Sequence, residues 1–194
     1  MDIAIIAWGS LIWDPRLLPY REGWQLGGPV LPLEFSRVSR DGRLTLVIDG
    51  VHGVEVSTRF AISTRRVLHD AIADLRDREG TIWKRIGFVD CKAGADSSDT
   101  FEQPEQTFQR VRGWAEQQGF DAAIWTDLPS SFKNETGEDF SVEKATAYLK
   151  RLPKSARKVA IEYIQKAPCE VETPLRVHLV EAGLISPKEE WGVT

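Results

Sequence analysis

The feature that most limits the fold is the run Ile3-Ala4-Ile5-Ile6-Ala7-Trp8. Neither alternating face of this run carries a polar residue, so it reads as a strand buried on both sides. It ends at Gly9-Ser10, where the chain must turn. Leu44 to Ile48 reads the same way. Val54, Val56, Thr58, Phe60 and Ile62 alternate with more polar neighbours, the pattern of a half-buried strand. Asp41-Gly42, between Arg37-Val38-Ser39 and Leu44-Thr45-Leu46, is a hairpin signal. Gly23 to Pro32 is rich in glycine and proline and reads as loop.

The helical segments follow from period and punctuation. Ser63 or Thr64 is the expected cap of a helix carrying Leu68, Ala71, Ile72 and Leu75, with Gly80 as its stop. Ile82 to Val89 returns to strand character, and Ala93 to Thr100 reads as a polar loop. Pro104 suits the first position of a helix with Phe108, Val111 and Ala115 inside and Gly119 at its end. Asp121 to Thr126 is a further strand, and Leu128 to Asp139 a polar loop. Ser141, Pro153 and Pro174 open three more helices, ending near Leu149, Ala167 and Gly183. Strands and helices interleave first, and helix dominates afterwards. The expected class is α+β: a mixed β-sheet or small β-barrel with flanking helices over residues 1–140, then a helical C-terminal extension over 141–194.

Composition narrows the function classes. The net charge of −4 gives no general attraction to nucleic acid. No apolar run approaches the roughly 20 residues needed to span a bilayer, so a cytoplasmic protein is expected. Two cysteines, Cys91 and Cys169, do not make a disulfide scaffold or a zinc cluster. His52, His69 and His178 lack metal-ligand spacing. Lys150, Arg151, Lys154, Arg157 and Lys158 cluster across a helix junction, a pattern that by default is a solvated face.

Two features carry chemistry. Each helical residue advances about 100°, so relative to Leu68, Ile72 lies about 40° away, and Leu75 and Glu79 each about 20°. Glu79 therefore continues the apolar stripe, while Asp70, Asp74 and Asp77 lie on other faces. A carboxylate aimed inward needs partners, and in the last helical turn it meets the negative end of the dipole. Such a group suits a general base. The alternative is a Glu that turns to water or pairs with Lys84 or Arg85. The second feature is Trp8-Gly9-Ser10-Leu11. Successive backbone N–H groups in a glycine turn can hold a carboxylate or a developing oxyanion. The alternative there is an ordinary strand-ending turn.

Together these residues resemble the γ-glutamylcyclotransferase-like family. Its members carry a Tyr-Gly-Ser-Leu loop after the first strand and a catalytic glutamate before a glycine-bearing turn at a helix end. Here Trp8-Gly9-Ser10-Leu11 stands at the loop position, with tryptophan for tyrosine, and Arg78-Glu79-Gly80 at the glutamate position. Gly9-Ser10-Leu11-Ile12-Trp13-Asp14-Pro15 is most similar to the ChaC-type branch, which belongs to glutathione metabolism. The resemblance implies an enzyme that cyclises a γ-glutamyl amide, peptide or amine to 5-oxoproline, a reaction of transferase or lyase type without metal or cofactor. Glu79 would be catalytic. Trp8, Gly9, Ser10 and Leu11 would bind substrate, with Arg37 and Ser39 reaching the same pocket. The implied partner is a small γ-glutamyl substrate, with no nucleic acid and no membrane; a homodimer stays open. A non-catalytic module binding a small metabolite or a protein on the same scaffold is the competing expectation.

Overall fold

The computed structural model describes residues 1–98 and 104–186. The end of the expected 93–100 loop and residues 187–194 of the expected extension lie outside the described residues. Six strands form one mixed sheet: β1 Ile3–Ala7, β2 Tyr20–Val38, β3 Leu44–Ile48, β4 Val54–Ser63, β5 Ile86–Asp90 and β6 Ala122–Thr126. Their order is β3-β2-β4-β1-β6-β5, so β3 and β5 are edges and the sheet is not closed into a barrel. β1 runs parallel to β6 and antiparallel to β4. Among the described residues there are also helices α1 Leu68–Glu79, α2 Glu105–Gln117, α3 Phe132–Thr136, α4 Val142–Arg151, α5 Lys154–Lys166 and α6 Pro174–Glu181. The class is α+β, and no described helix is long and apolar enough to cross a membrane.

The chain divides into two compact units, residues 1–31 with 57–128 and residues 32–56 with 129–194. In the first, every residue of β1 is buried. Ile3, Ile5 and Ala7 share a core with Ala71, Ile72 and Leu75 of α1, Ile86, Ile124, and Leu11 and Leu18 from the segment after β1. In the second, α4 packs on α5 and α6, and α5 packs on β3. The carboxylate of Glu34 on β2 accepts a hydrogen bond from the N–H of Leu175 in the first turn of α6, at 3.2 Å.

Several local expectations are corrected. Gly23 to Pro32 is not a loop but lies within the 19-residue β2. There Gly28 serves close approach, while Gly23 and Gly27 supply positive φ (68° and 83°). A Cβ on Gly28 would lie 2.5 Å from Thr58 Oγ1 and 2.9 Å from the Thr58 carbonyl. Thr58 Oγ1 donates to the Pro29 carbonyl at 2.7 Å, and Trp114 Nε1 donates to the Gly27 carbonyl at 2.8 Å. The cap of α1 is Val67, without a side-chain bond, rather than Ser63 or Thr64. Those two are engaged elsewhere: Ser63 Oγ accepts from Arg65 N and Thr64 N donates to the Pro19 carbonyl. The strand expected from Ile82 starts only at Ile86, because Trp83–Arg85 forms a 3-10 turn. The expected polar loop 128–139 contains α3, organised by the fully buried Phe132.

Gly87 on β5 pairs with the buried Trp125 of β6, and an added Cβ would fall 2.2–2.5 Å from the indole ring. Gly87→Ala is therefore expected to destabilise the fold by about 1–3 kcal/mol through overpacking. A thermal melt reads this directly, and an unchanged Tm would show that the indole can shift.

Candidate functional site

The site is built at the carboxyl ends of two parallel strands. In open sheets with parallel neighbours, such ends form the crevice that loops can line. β1 and β6 are in register with Ile6 opposite Trp125, so two residues further on Trp8 comes level with Asp127. Asp127 is buried, and its N–H donates to the Arg85 carbonyl at 2.9 Å. On the other side of β1, Ala7 pairs with Arg59 of β4.

After β1 the chain turns at once. Ile12 N donates to the Gly9 carbonyl at 3.0 Å, and Asp14 N to the Ser10 carbonyl at 2.8 Å. Trp8 and Leu11 are buried and Ser10 half-buried, so the turn is anchored by its apolar side chains. The N–H groups of Gly9, Ser10 and Leu11 donate to no other described residue. Three adjacent donors of this kind suit an anion. Arg16, a little further on, has φ 54°, a left-handed conformation that costs a non-glycine residue about 1–3 kcal/mol. Its Nη1 donates to the Arg78 carbonyl at 2.9 Å, which ties the loop to the end of α1.

Helix α1 ends at Gly80, which takes the left-handed conformation (φ 61°) that closes a helix. The Glu79 side chain retains only 15% exposure, so it does not turn out to bulk water. Its partner is neither Lys84 nor Arg85. Arg78 Nη1 donates to Glu79 Oε1 at 2.5 Å. The same guanidinium donates to the Asp14 carbonyl through Nε at 3.1 Å and again through Nη2. Its Nη2 also lies 3.5 Å from Ser10 Oγ, at the outer limit of a hydrogen bond. Arg78 is thus the group that joins the two sequence candidates, the Gly9–Leu11 turn and Glu79. Helical spacing carries a trace of it, because Arg78 follows Ala71 and Leu75 on the buried side. Charge argued the opposite way, since arginine is rarely buried.

Arg37 and Ser39 belong to the second unit. Arg37 Nη1 donates to the Pro129 carbonyl at 3.0 Å. Ser39 Oγ donates to Asp41 Oδ1 at 2.6 Å within the β2–β3 turn. That unit holds its own buried acids. Burial raises the Glu34 carboxyl above its ordinary value and the nearby Asp49 charge adds to this, while bonds from Thr173 and the N–H groups of Phe35 and Leu175 offset part of it. Burial also pushes the Asp49 carboxyl upward, but the neighbouring Ser36 side chain and bonds from the N–H groups of His52 and Val51 hold it below its ordinary value. No cluster of three or more His, Cys, Asp or Glu that could share a metal occurs among the described residues. Cys91 is half-buried, and burial raises its thiol away from the reactive thiolate.

The two acids give opposite pH windows. Glu34 binds its proton more tightly in the fold, so its contribution is complete below its unfolded value of 4.5 and is lost as pH rises through the higher folded value. Asp49 contributes above its unfolded value of 3.8 and loses that contribution as pH falls through the lower folded value. The Tm of Glu34→Gln relative to the unsubstituted protein should therefore climb as pH rises above 4.5. A pH-independent difference in parallel melts would contradict this assignment. Compared with known proteins, the chain matches no family model, no curated protein and no solved structure.

Proposed function

We propose that this chain is a γ-glutamylcyclotransferase-like enzyme that releases 5-oxoproline from a γ-glutamyl amide, peptide or amine. The observation carrying the reading is the covered Glu79 carboxylate, linked through Arg78 to a turn whose Gly9, Ser10 and Leu11 N–H groups have no protein acceptor among the described residues. A base and an anion cradle held by one cation are the parts this reaction needs. The sequence resemblance of the same two segments points to the same chemistry.

The substrate carries its own nucleophile. Its α-amino nitrogen attacks its γ-carbonyl carbon and closes a five-membered ring. The enzyme's main task is then to hold the folded conformer, because an intramolecular attack has already been relieved of most of its entropy cost. Glu79 takes a proton from the α-ammonium so that the nitrogen lone pair can attack. The carbonyl oxygen becomes an oxyanion, for which the Gly9–Leu11 N–H groups are the available donors. The ring C–N bond forms and leaves two hydrogens on the ring nitrogen. Glu79 returns its first proton to the leaving nitrogen as the bond to it breaks. It then carries the surplus ring-nitrogen proton to the released amine, which departs as an ammonium. The products are 5-oxoproline and a free amine or amino acid. No net proton is gained or lost, and no redox partner enters.

The test is release of 5-oxoproline from γ-glutamyl-alanine, γ-glutamyl-lysine and glutathione. Product is expected from at least one, and Glu79→Gln should lower turnover by about 10²–10⁴-fold, the usual worth of a positioned general base. Equal turnover by that variant removes Glu79 as the base. A wild type silent on the whole panel favours the non-catalytic binding module instead.

A further inference from the structure

We propose that Arg78 is the positioning residue of this site: it clamps Glu79 Oε1 and leaves Oε2 as the proton-accepting atom. The inference rests on the cyclotransferase reading of Glu79. Neighbouring helical residues point about 100° apart, so Arg78 and Glu79 do not meet by default. They meet here at the helix end, with side chains only 5% and 15% exposed. The guanidinium is planar, and its donors have fixed directions. Two of its nitrogens, Nε and Nη2, converge on the Asp14 carbonyl and fix that plane relative to the loop. The remaining nitrogen, Nη1, then points in a set direction, and Glu79 Oε1 occupies it. Oε2 accepts from no other described residue. The loop and the carboxylate thus share one rigid reference.

A second consequence concerns Ser10. Where Arg78 Nη2 donates to Ser10 Oγ, that oxygen acts as the acceptor, and its own hydrogen is free to point to a substrate group. A lysine cannot reproduce the arrangement. Its ammonium is a single point of donation, and it cannot hold a backbone carbonyl and a carboxylate at fixed mutual angles.

The experiment compares Arg78→Met, Arg78→Lys and the control Arg76→Met, whose arginine pairs with Asp77 on the same helix. Steady-state kinetics on the best γ-glutamyl substrate are combined with hydrogen exchange over residues 9–18. Arg78→Met should lower kcat on the order of 100-fold, as expected when a reacting group is misplaced by about 1 Å. KM should move far less, Arg78→Lys should recover only a small part, and Arg76→Met should stay near wild type. Exchange over 9–18 should accelerate in both Arg78 variants and not in Glu79→Gln. If Arg78→Met does not fold, Arg78→Lys decides. Wild-type kcat in either folded Arg78 variant overturns the proposal, as does a kcat loss no larger than that of Arg76→Met. A wild type inactive on every substrate sinks the cyclotransferase reading instead. The clamp is then judged by exchange alone, and unchanged protection of 9–18 in Arg78→Lys overturns it.

Discussion

The guanidinium of Arg78 is the interaction on which the first unit's site depends. A cation taken out of water loses several kcal/mol of solvation, and hydrogen bonds from each of its nitrogens offset that loss. Arg78 makes these bonds to groups from two places, the Asp14 carbonyl and Ser10 Oγ of the loop and the Glu79 carboxylate of α1. The loop after β1 is therefore not free to choose its own conformation. It must bring the Asp14 carbonyl to the end of α1, and the left-handed Arg16 follows from that constraint. Local strain of this kind persists only where the surroundings over-determine it.

A second buried arginine shows what the arrangement would look like if it were only structural. Arg176 on α6 donates to the carbonyls of Gln165, Ala167, Pro168 and Val171, at and beyond the end of α5. Burial lowers its value to about 10, with Cys169, Glu172 and Glu170 pulling the other way. Its contacts plug a helix terminus and satisfy its last carbonyls. Arg78 differs in kind. It spends one donor on a carboxylate and another close to a hydroxyl, both of which can do proton chemistry. Structural economy would favour carbonyls alone, because an adjacent carboxylate must itself be desolvated.

What the sequence disclosed, and what it hid, follow from the range of the forces involved. β1 was legible because continuous apolar character reports burial on both faces without reference to anything else. The stop of α1 at Gly80 and the turn at Gly42 were legible because left-handed backbone selects glycine locally. β2 was misread between Gly23 and Pro32 because the same residue type also permits two backbones to touch, as Gly28 does against Thr58. Composition alone cannot separate a flexible glycine from a closely packed one. The inward phase of Glu79 was legible from spacing. Arg78 left only a trace in the spacing, because the loop groups that accept from it, Ser10 Oγ and the Asp14 carbonyl, lie 68 and 64 residues away in the chain.

The topology explains why the two halves of the site could meet at all. β1 and β6 are parallel, so their carboxyl ends open on the same edge of the sheet. α1 packs against β5 and β6 and shares the core of β1, through Ile72 and Leu75 on one side and Leu11 and Leu18 on the other. The apolar contacts therefore fix the distance between loop and helix end to within the reach of one side chain. Hydrophobic packing is non-directional and cannot orient a carboxylate. That last step requires a group with directional donors, long enough to cross from helix to loop and charged enough to hold a carboxylate. Among the twenty side chains only arginine combines these properties, and Arg78 stands where the packing leaves room for it.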